Sequence, residues 1–218
     1  MRLSMPVSVL IKKILLATVG LAICAVGNYM TIKANIGQSP WNALYLGLIN
    51  YIPLTYGQIS IVIGILITFI ALALKEPIGL GTVMDYVLVG IFCDLYETVG
   101  LIPEINNYYV GIAAMLVGMA IQSFAQFLYM SAGLSCGPRD AMMVGLGKRV
   151  RKVPIGAVSI AINVTAAAVG FLLGGSIGLG TVIFMLAGGV IMQAVFHLLR
   201  FEPRDVVHVG FHQLLTKK

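Results

Sequence analysis

The chain of 218 residues is 59% apolar and only 10% charged, and its mean hydropathy is +0.99. A soluble domain usually carries about 25% charged residues, so this composition excludes an ordinary soluble fold and a disordered chain. The net charge is +6, from 14 Lys and Arg against 8 Asp and Glu. These basic residues lie at the ends of apolar runs, where the positive-inside rule places them. We therefore expect a lipid bilayer, and no nucleic acid, as the main partner.

Six apolar runs approach the length of about 20 residues that a helix needs to cross the hydrocarbon core of a bilayer. The predicted spans are 11–33, 57–74, 81–99, 108–130, 155–173 and 180–199. The first run is expected to be retained rather than cleaved, because Ile23 precedes Cys24 where a lipoprotein cleavage site needs a small residue. Two shorter apolar stretches, 40–52 and 138–146, follow the first and the fourth span.

The second half of the chain repeats landmarks of the first half at a nearly constant offset. The run from Gly79 to Thr82 recurs as the run from Gly178 to Thr181. Further landmarks recur in the same order: Ala34, Pro40, Ala43 and Gly47 as Ala132, Pro138, Ala141 and Gly145. This pattern indicates an internal duplication, which sets the architecture. The predicted units are a first repeat over 1–103, a second repeat over 104–200 and a cytoplasmic tail over 201–218, within one membrane domain.

The short helices decide the topology. Between Asp140 and Lys148 only a few uncharged residues remain, which is about 10 Å of helix at 1.5 Å per residue. Such a segment cannot cross a core of about 30 Å. The sequence therefore predicts an all-α integral membrane protein of two repeats, each with three transmembrane helices and a short half-helix. An odd number of spans inverts the second repeat relative to the first, and the alternative is eight spans with parallel repeats.

The charges favour the inverted arrangement. Six spans place most basic residues on the cytoplasmic side, together with both termini, and leave the loop at 100–107 outside. The basic residues on that side are Lys12, Lys13, Lys75, Lys148, Arg149, Arg151, Lys152, Arg200 and Arg204. Lys33 is the exception. Eight spans would export Lys75 and Arg139 instead.

The motifs resemble those of the YczE/YyaS/YitT group of bacterial membrane proteins over nearly the whole chain. They are Gly37-x-x-Pro40-Trp41-Asn42-Ala43-Leu44, Gly79-Leu80-Gly81-Thr82, Gly90-x-x-x-Asp94 and Gly137-Pro138-Arg139-Asp140-Ala141. The group favours Trp-Asp after the proline, and each half here keeps one part of that pair. The resemblance implies a multi-pass protein of the bacterial plasma membrane, without a settled molecular activity.

Two carboxylates within the third span are candidate solute or ion ligands. Asp85 and Asp94 each lie within about 8 Å of the middle of the span 81–99. Ionisable groups inside a membrane are costly and mark functional sites by default. Asp85 and Asp94 are nine residues apart and so face roughly opposite sides of one helix. Packing against a neighbouring helix is the alternative role for each carboxyl group.

The starts of the two half-helices form the second candidate site. Ser39 can cap the first half-helix and Pro40 suits its first position, and Pro138 repeats this arrangement in the second. A half-helix that begins at membrane depth offers N–H groups and a positive dipole end to an anion. The candidate binding residues there are Ser39, Pro40, Asn42, Pro138, Arg139 and Asp140. A helix lying on the membrane surface, with Arg139 reaching lipid phosphates, is the alternative.

Several other side chains are given structural roles. Gln122, Gln126 and Asn163 are expected to join helices, and Trp41 to anchor at the membrane interface. Cys24 and Cys93 fall in mid-span and should be shielded, whereas Cys136 lies between the fourth span and the second short helix.

Two functions remain. One is a small secondary transporter or channel-like protein for a small solute or ion. The other is a membrane partner or scaffold that assists another membrane or biosynthetic assembly without transporting anything. A homodimer would suit either function, because six spans enclose little volume. Neither a nucleophile arrangement nor a metal or cofactor motif is present in the sequence, so we expect no enzyme and no cofactor.

Overall fold

A computed structural model describes residues 6–150, 152–153, 155–202, 206 and 209–210. Eight α-helices make up the regular structure of this part of the chain. They are α1 (Val7–Lys33), α2 (Pro40–Ile49), α3 (Tyr56–Ala73), α4 (Leu80–Val99), α5 (Tyr108–Ser131), α6 (Pro138–Arg149), α7 (Ile155–Leu172) and α8 (Leu179–Leu198). The prediction of an all-α protein is confirmed. The six predicted spans coincide with α1, α3, α4, α5, α7 and α8, and the short stretches coincide with α2 and α6.

Within the described part of the chain, four helices are long and apolar enough to cross a membrane: α1, α3, α5 and α8. In α7, the residues from Ala157 to Leu172 form a shorter apolar helix. In α4, which has 20 residues, three acidic side chains interrupt the apolar sequence: Asp85, Asp94 and Glu97. Large apolar side chains such as Leu186 and Leu198 of α8 are exposed on the outside of the bundle, as lipid-facing residues are.

Some of the helices begin at residues whose side chains cap the first turn. The Ser39 hydroxyl accepts a hydrogen bond from the backbone N–H of Asn42 at the start of α2. At the start of α3, the side chains of Thr55 and Gln58 form a reciprocal capping box. Gly137 precedes α6 and has no side chain to cap it, so the first turn of α6 lacks the cap that α2 has.

Close backbone contacts at small residues bring the central helices together. At Gly27 of α1, an added Cβ would lie 2.6 Å from the carbonyl oxygen of Gly118 in α5. At Gly47 of α2, it would lie 2.7 Å from the carbonyl oxygen of Gly170 in α7. Small residues allow this approach in membrane helices, where packing rather than water exclusion drives association. Helix α1 packs against both α5 and α4, and the shorter α6 packs against α3.

Two similar segments connect the halves of the chain. The backbone N–H of Gly81, in the first turn of α4, donates to the carbonyl oxygen of Leu134, 2.7 Å away. The N–H of Gly180, in the first turn of α8, donates to the carbonyl oxygen of Ile36, 2.8 Å away. Each Gly-Leu-Gly-Thr segment therefore contacts the loop that precedes the half-helix of the other half.

Side-chain contacts show which helix ends lie on the same side of the bundle. Lys33 at the end of α1 pairs with Glu97 near the end of α4, with 3.0 Å between the charged atoms. Near the start of α1, the Lys13 ammonium donates to the carbonyl oxygen of Ala132, just after α5. At the end of α6, Lys148 pairs at 2.7 Å with the buried carboxylate of Glu76, which follows α3.

Part of the predicted tail, 201–218, falls within the described residues. The ring of Phe201 packs at right angles against Phe196 and Phe127, with centroids 5.2 and 5.0 Å away. The backbone N–H of Val209 donates to the carbonyl oxygen of Gly133. This part of the tail therefore lies by the end of α5, whereas Arg204 and the residues after Gly210 lie outside the described residues, as does Arg151 before α7.

Candidate functional site

A polar cavity of about 190 Å³ lies inside the bundle, lined by residues from α1 to α6 and by Gly137 just before α6. Three of its lining residues carry formal charge: Asp85 from α4, and Arg139 and Asp140 from α6. The two carboxylates are partly buried and Arg139 exposes much of its surface. Such a concentration of charge within a set of apolar helices is a candidate binding site.

Arg139 connects the two half-helices. Its guanidinium group donates a hydrogen bond of 2.7 Å to the hydroxyl of Tyr45 in α2. The guanidinium carbon also lies 4.8 Å from the ring centroid of Trp41 and 5.6 Å from that of Tyr45, within cation–π range. The structure therefore places the side chain from the first turn of α6 on aromatic residues of α2, and the two short helices meet at the cavity.

Asp85 is directed at the start of α6. A Cβ added at Gly137 would lie 2.9 Å from a carboxylate oxygen of Asp85. Among the described residues, neither Asp85 nor Asp140 makes a hydrogen bond or an ion pair, although both interact electrostatically with Arg139. The absence of a side chain at position 137 is what allows the Asp85 carboxylate to approach the first turn of this helix.

A closed ring of three side chains lies next to the charged groups. The Asn28 amide donates to the Tyr56 hydroxyl, which donates to the Asn42 carbonyl oxygen, and the Asn42 amide donates back to Asn28. These three distances are 2.7, 2.8 and 2.9 Å. Each group in such a ring polarises the next, which strengthens the bonds. The ring ties α1, α2 and α3 together and presents Asn28 and Tyr56 to the cavity.

Asp94 lies elsewhere. Its carboxylate accepts a hydrogen bond of 2.8 Å from the backbone N–H of Gly57 and another from the hydroxyl of Thr55. Both donors belong to the start of α3. The described contacts therefore match the packing alternative, in which the carboxylate caps a neighbouring helix, and Asp94 does not line the cavity.

The structure brings together only some of the predicted site residues. Asp85, Pro138, Arg139 and Asp140 line the cavity, and Asn42 joins the adjacent hydrogen-bonded ring. Ser39 and Pro40 are buried and begin α2 without lining the cavity. In the alternative of a surface helix, the arginine would reach lipid phosphates; in this structure the guanidinium group lies against Trp41 and Tyr45.

Other cavity residues carried no candidate role in the sequence analysis. They are Cys24, Asn28, Tyr45, Tyr56, Gln122 and Tyr129. Cys24 was expected to be shielded in mid-span, and it is half-buried and lines the cavity. Gln122 was expected to join helices, yet its buried amide nitrogen has no hydrogen-bond acceptor among the described residues. The sequence signal that could have identified this side of the cavity is the pair of mid-span amides at helical spacing, Gln122 and Gln126.

Trp41, which was expected to anchor at the membrane interface, also makes contacts with two other helices. Its indole N–H donates to the side-chain oxygen of Asn163 in α7 over 3.1 Å, and its ring packs under Arg139. The bond to Trp41 is consistent with the expected role of Asn163 in joining helices. Trp41 thus connects α2, α6 and α7.

A comparison with known families covers most of the chain. The model of the family of unknown function DUF6198 matches residues 11–197. The chain belongs to this family. An uncharacterized membrane protein, YczE of Bacillus subtilis, is 33% identical to this DUF6198 chain over 180 residues, which cover 80% of each protein. The resemblance to the YczE and YyaS proteins is thereby confirmed.

Two further relatives are similar over comparable lengths. An uncharacterized protein of Haemophilus influenzae is 27% identical over 192 residues, which cover 88% of this DUF6198 chain and 87% of that protein. The uncharacterized protein YyaS of Bacillus subtilis is 26% identical over 181 residues, which cover 80% of this chain and 88% of that protein. No solved structure matches the chain. Together with the apolar helices, these relatives identify a membrane protein.

Proposed function

We propose that this protein is a small secondary transporter or channel-like protein that binds a small solute or ion in the cavity beside Asp85. The observation that carries the proposal is the charged cavity at the meeting point of two half-helices. Paired interrupted helices in corresponding positions mark the binding sites of many transporters. Ionisable groups there can exchange a ligand or a proton because their partners inside the protein are few. No enzymatic step and no cofactor form part of the proposal.

We further propose six spans and two half-helices for this chain. Helices α2 and α6 have 10 and 12 residues, which gives about 15 and 18 Å of helix at 1.5 Å per residue. Both are too short for a core of about 30 Å. Six spans place the end of α1 and the end of α4 on one side, in agreement with the pair between Lys33 and Glu97.

The eight-span alternative conflicts with these contacts. With eight spans, the end of α1 and the end of α4 would lie on opposite sides of the membrane. The start of α1 and the end of α5 would also be separated, although Lys13 donates to the carbonyl oxygen of Ala132. Six spans satisfy both contacts.

The matching contacts support an inverted duplication. If α1 to α4 correspond to α5 to α8, the bond from Gly81 to Leu134 corresponds to the bond from Gly180 to Ile36. With three spans in each half, the second half runs in the opposite direction across the membrane. The side that carries Lys13, Lys148 and Arg149 is then cytoplasmic by the positive-inside rule, with both termini on that side of the cell membrane.

The function is tested by flux into proteoliposomes that contain the purified protein and an internal pH dye. The probes are separate mixtures of amino acids, sugars, polyamines and inorganic ions, each applied with and without an imposed pH gradient. We expect at least one class to enter or to change the internal pH. Asp85→Asn should abolish that flux, because the amide keeps the shape of the carboxylate and removes its charge.

Glu104→Gln is the matched control, because Glu104 is an exposed carboxylate in the loop before α5. This variant should transport at the rate of the unaltered protein. Absence of flux for every class, or unchanged flux in a correctly inserted Asp85→Asn protein, would overturn the transport proposal.

The second candidate function is that of a membrane scaffold or partner, and the exposed surface of α8 favours it. Leu186, Val190 and Leu198 are 74%, 67% and 81% exposed, and α8 packs mainly against α5. A face of this kind suits a second copy or another membrane protein as well as lipid. A stable complex whose activity survives Asp85→Asn would favour this function over transport.

A further inference from the structure

The cavity contains more negatively than positively charged side chains. Two carboxylates, Asp85 and Asp140, share the cavity with one guanidinium group, Arg139. With all three ionised, the cavity carries one net negative charge. The other titratable lining side chains are neutral in their ordinary forms: Cys24, Tyr45, Tyr56, Tyr86 and Tyr129. Charged groups among apolar helices are costly without partners, so we expect the ligand and a co-bound proton to complete this set.

Arg139 has N–H donors available for an anionic group. Of the five N–H donors of a guanidinium group, one is hydrogen-bonded among the described residues, to Tyr45. The rings of Trp41 and Tyr45 hold the group in place. The unpartnered amide nitrogen of Gln122 is a further buried donor among the residues that line this cavity. A carboxylate is the group that such donors match, because a guanidinium can bind both of its oxygens.

Asp85 and Asp140 have carboxylate oxygens available for a cationic group. Neither carboxylate has a hydrogen bond or an ion pair among the described residues. The hydroxyl-bearing rings of Tyr45 and Tyr56 lie near the same space, with centroids 5.6 Å apart. An ammonium group can donate to carboxylates and also interacts favourably with aromatic faces.

The volume of the cavity suits a small ligand. A volume of about 190 Å³ corresponds to about six water-sized groups at about 30 Å³ each. L-alanine has that number of non-hydrogen atoms.

We propose that the cavity binds a small zwitterion of the amino-acid class together with one proton. The ligand carboxylate pairs with Arg139, its ammonium group pairs with Asp85, and the proton neutralises Asp140. This inference rests on the proposed transport function and names the solute that it carries. Binding neutralises every charge in the cavity, and each transport cycle moves one net positive charge.

The test is direct binding to the purified full-length protein in detergent, measured by isothermal titration calorimetry. The probes are L-alanine, ethylamine and propionate, which share a similar carbon skeleton. Ethylamine lacks the carboxylate and propionate lacks the ammonium group. We expect L-alanine to bind at least tenfold more tightly than either analogue, with uptake of about one proton per molecule shown by titration in buffers of different ionisation enthalpy.

The variants separate the two ends of the ligand. Arg139→Gln should reduce the affinity for L-alanine by at least tenfold, and so should Asp85→Asn. Glu104→Gln is the control that should bind like the unaltered protein. Thermal unfolding of each variant in the same detergent selects the folded preparations. Arg139→Lys provides a second variant at this position, which keeps the positive charge and loses the planar guanidinium fork that binds both carboxylate oxygens.

Each other outcome would overturn the proposal. Ethylamine binding as tightly as L-alanine would show a site for cations, and propionate doing so would show a site for anions. Absence of binding by all three probes, with ion flux in proteoliposomes that still requires Asp85, would reject the zwitterion and leave the transport function standing. Absence of both binding and flux would reject the two together.

Discussion

Asp94 and Asp85 belong to the same helix and have different surroundings. Asp94 receives hydrogen bonds from Gly57 and Thr55 at the start of α3, so its charge is stabilised by a helix N-terminus. Asp85 faces the cavity beside Gly137 and has no such donor among the described residues. An intramembrane carboxylate that is fully bonded contributes to packing, whereas one with few partners is available to a ligand. The two aspartates therefore support different expectations on substitution.

Replacing Asp94 should reduce stability without removing a ligand-binding group. Asp94→Ala eliminates both acceptors at the start of α3, and loss of a cap costs about 0.5–2 kcal/mol. Asp94→Asn keeps one acceptor oxygen and should cost less. Thermal unfolding of the purified protein in detergent measures the order, with Glu104→Gln as the neutral reference. An Asp94→Asn protein of unaltered stability that has lost all flux would contradict this assignment and return Asp94 to the transport path.

At the scale of the helices, the sequence predicted most of the fold. The apolar runs placed α3, α4, α5, α7 and α8 to within a residue or so at each end. Charge near Asp140 and Lys148 correctly limited α6 to a short helix. The approach of α6 to α2 could not be predicted, because it depends on how distant segments pack. The roles of Tyr45, Asn28 and Gln122 in the cavity follow from that packing and were missed for the same reason.

Two glycines, Gly90 in α4 and Gly189 in α8, are 99 residues apart, as are the two Gly-Leu-Gly-Thr segments, and they have different neighbours. A Cβ at Gly90 would lie 2.7 Å from the carbonyl oxygen of Gly57 in α3. At Gly189, no atom of the described residues lies within 4 Å of the added Cβ, apart from its chain neighbours and the nearby backbone of α8. Helix α4 therefore needs a glycine in order to pack against α3, and α8 has no such neighbour there.

This difference predicts opposite results for one substitution at two matched sites. Gly90→Ala should destabilise the protein by about 1–3 kcal/mol, because backbone atoms have to move apart. Gly189→Ala should be neutral or stabilising by up to about 1 kcal/mol, because alanine favours a helix. Thermal unfolding in the same detergent gives the comparison. Equal losses of stability at both positions would contradict this difference in packing between α4 and α8.

At the scale of the whole molecule, the direction of each half determines whether the half-helices enter from opposite sides. Six spans place the loop before α6 on the same side as the start of α1, since Lys13 contacts Ala132 there. They place the loop at 100–107 on the other side, beside Lys33. Two half-helices entering from opposite sides can meet at membrane depth, as the contact between Arg139 and Tyr45 requires. The sidedness of these two loops is therefore the central test of the architecture.

The last prediction concerns the sidedness of Cys136, which lies between α5 and α6 and is half-buried. Burial, and next the nearby Asp140 carboxylate, raises the pKa of its thiol to about 11. Since the thiolate is the reactive form, labelling should accelerate about tenfold per pH unit between pH 7 and 9. The background is Cys24→Ser with Cys93→Ser, because Cys24 lines the cavity and could also react.

We expect a membrane-impermeant maleimide to label Cys136 in inverted vesicles and not in intact cells, and Cys136→Ser to remove the signal. Two exposed reporters, each introduced with Cys136→Ser, make the result decisive even if the buried thiol reacts slowly. Lys75→Cys, in the turn after α3, should behave like Cys136, and Glu104→Cys should react only from outside the cell. The eight-span arrangement reverses all three results. Labelling of Lys75→Cys from outside together with Glu104→Cys from inside would therefore reject the inverted repeats, and with them the meeting of two half-helices on which the binding site depends.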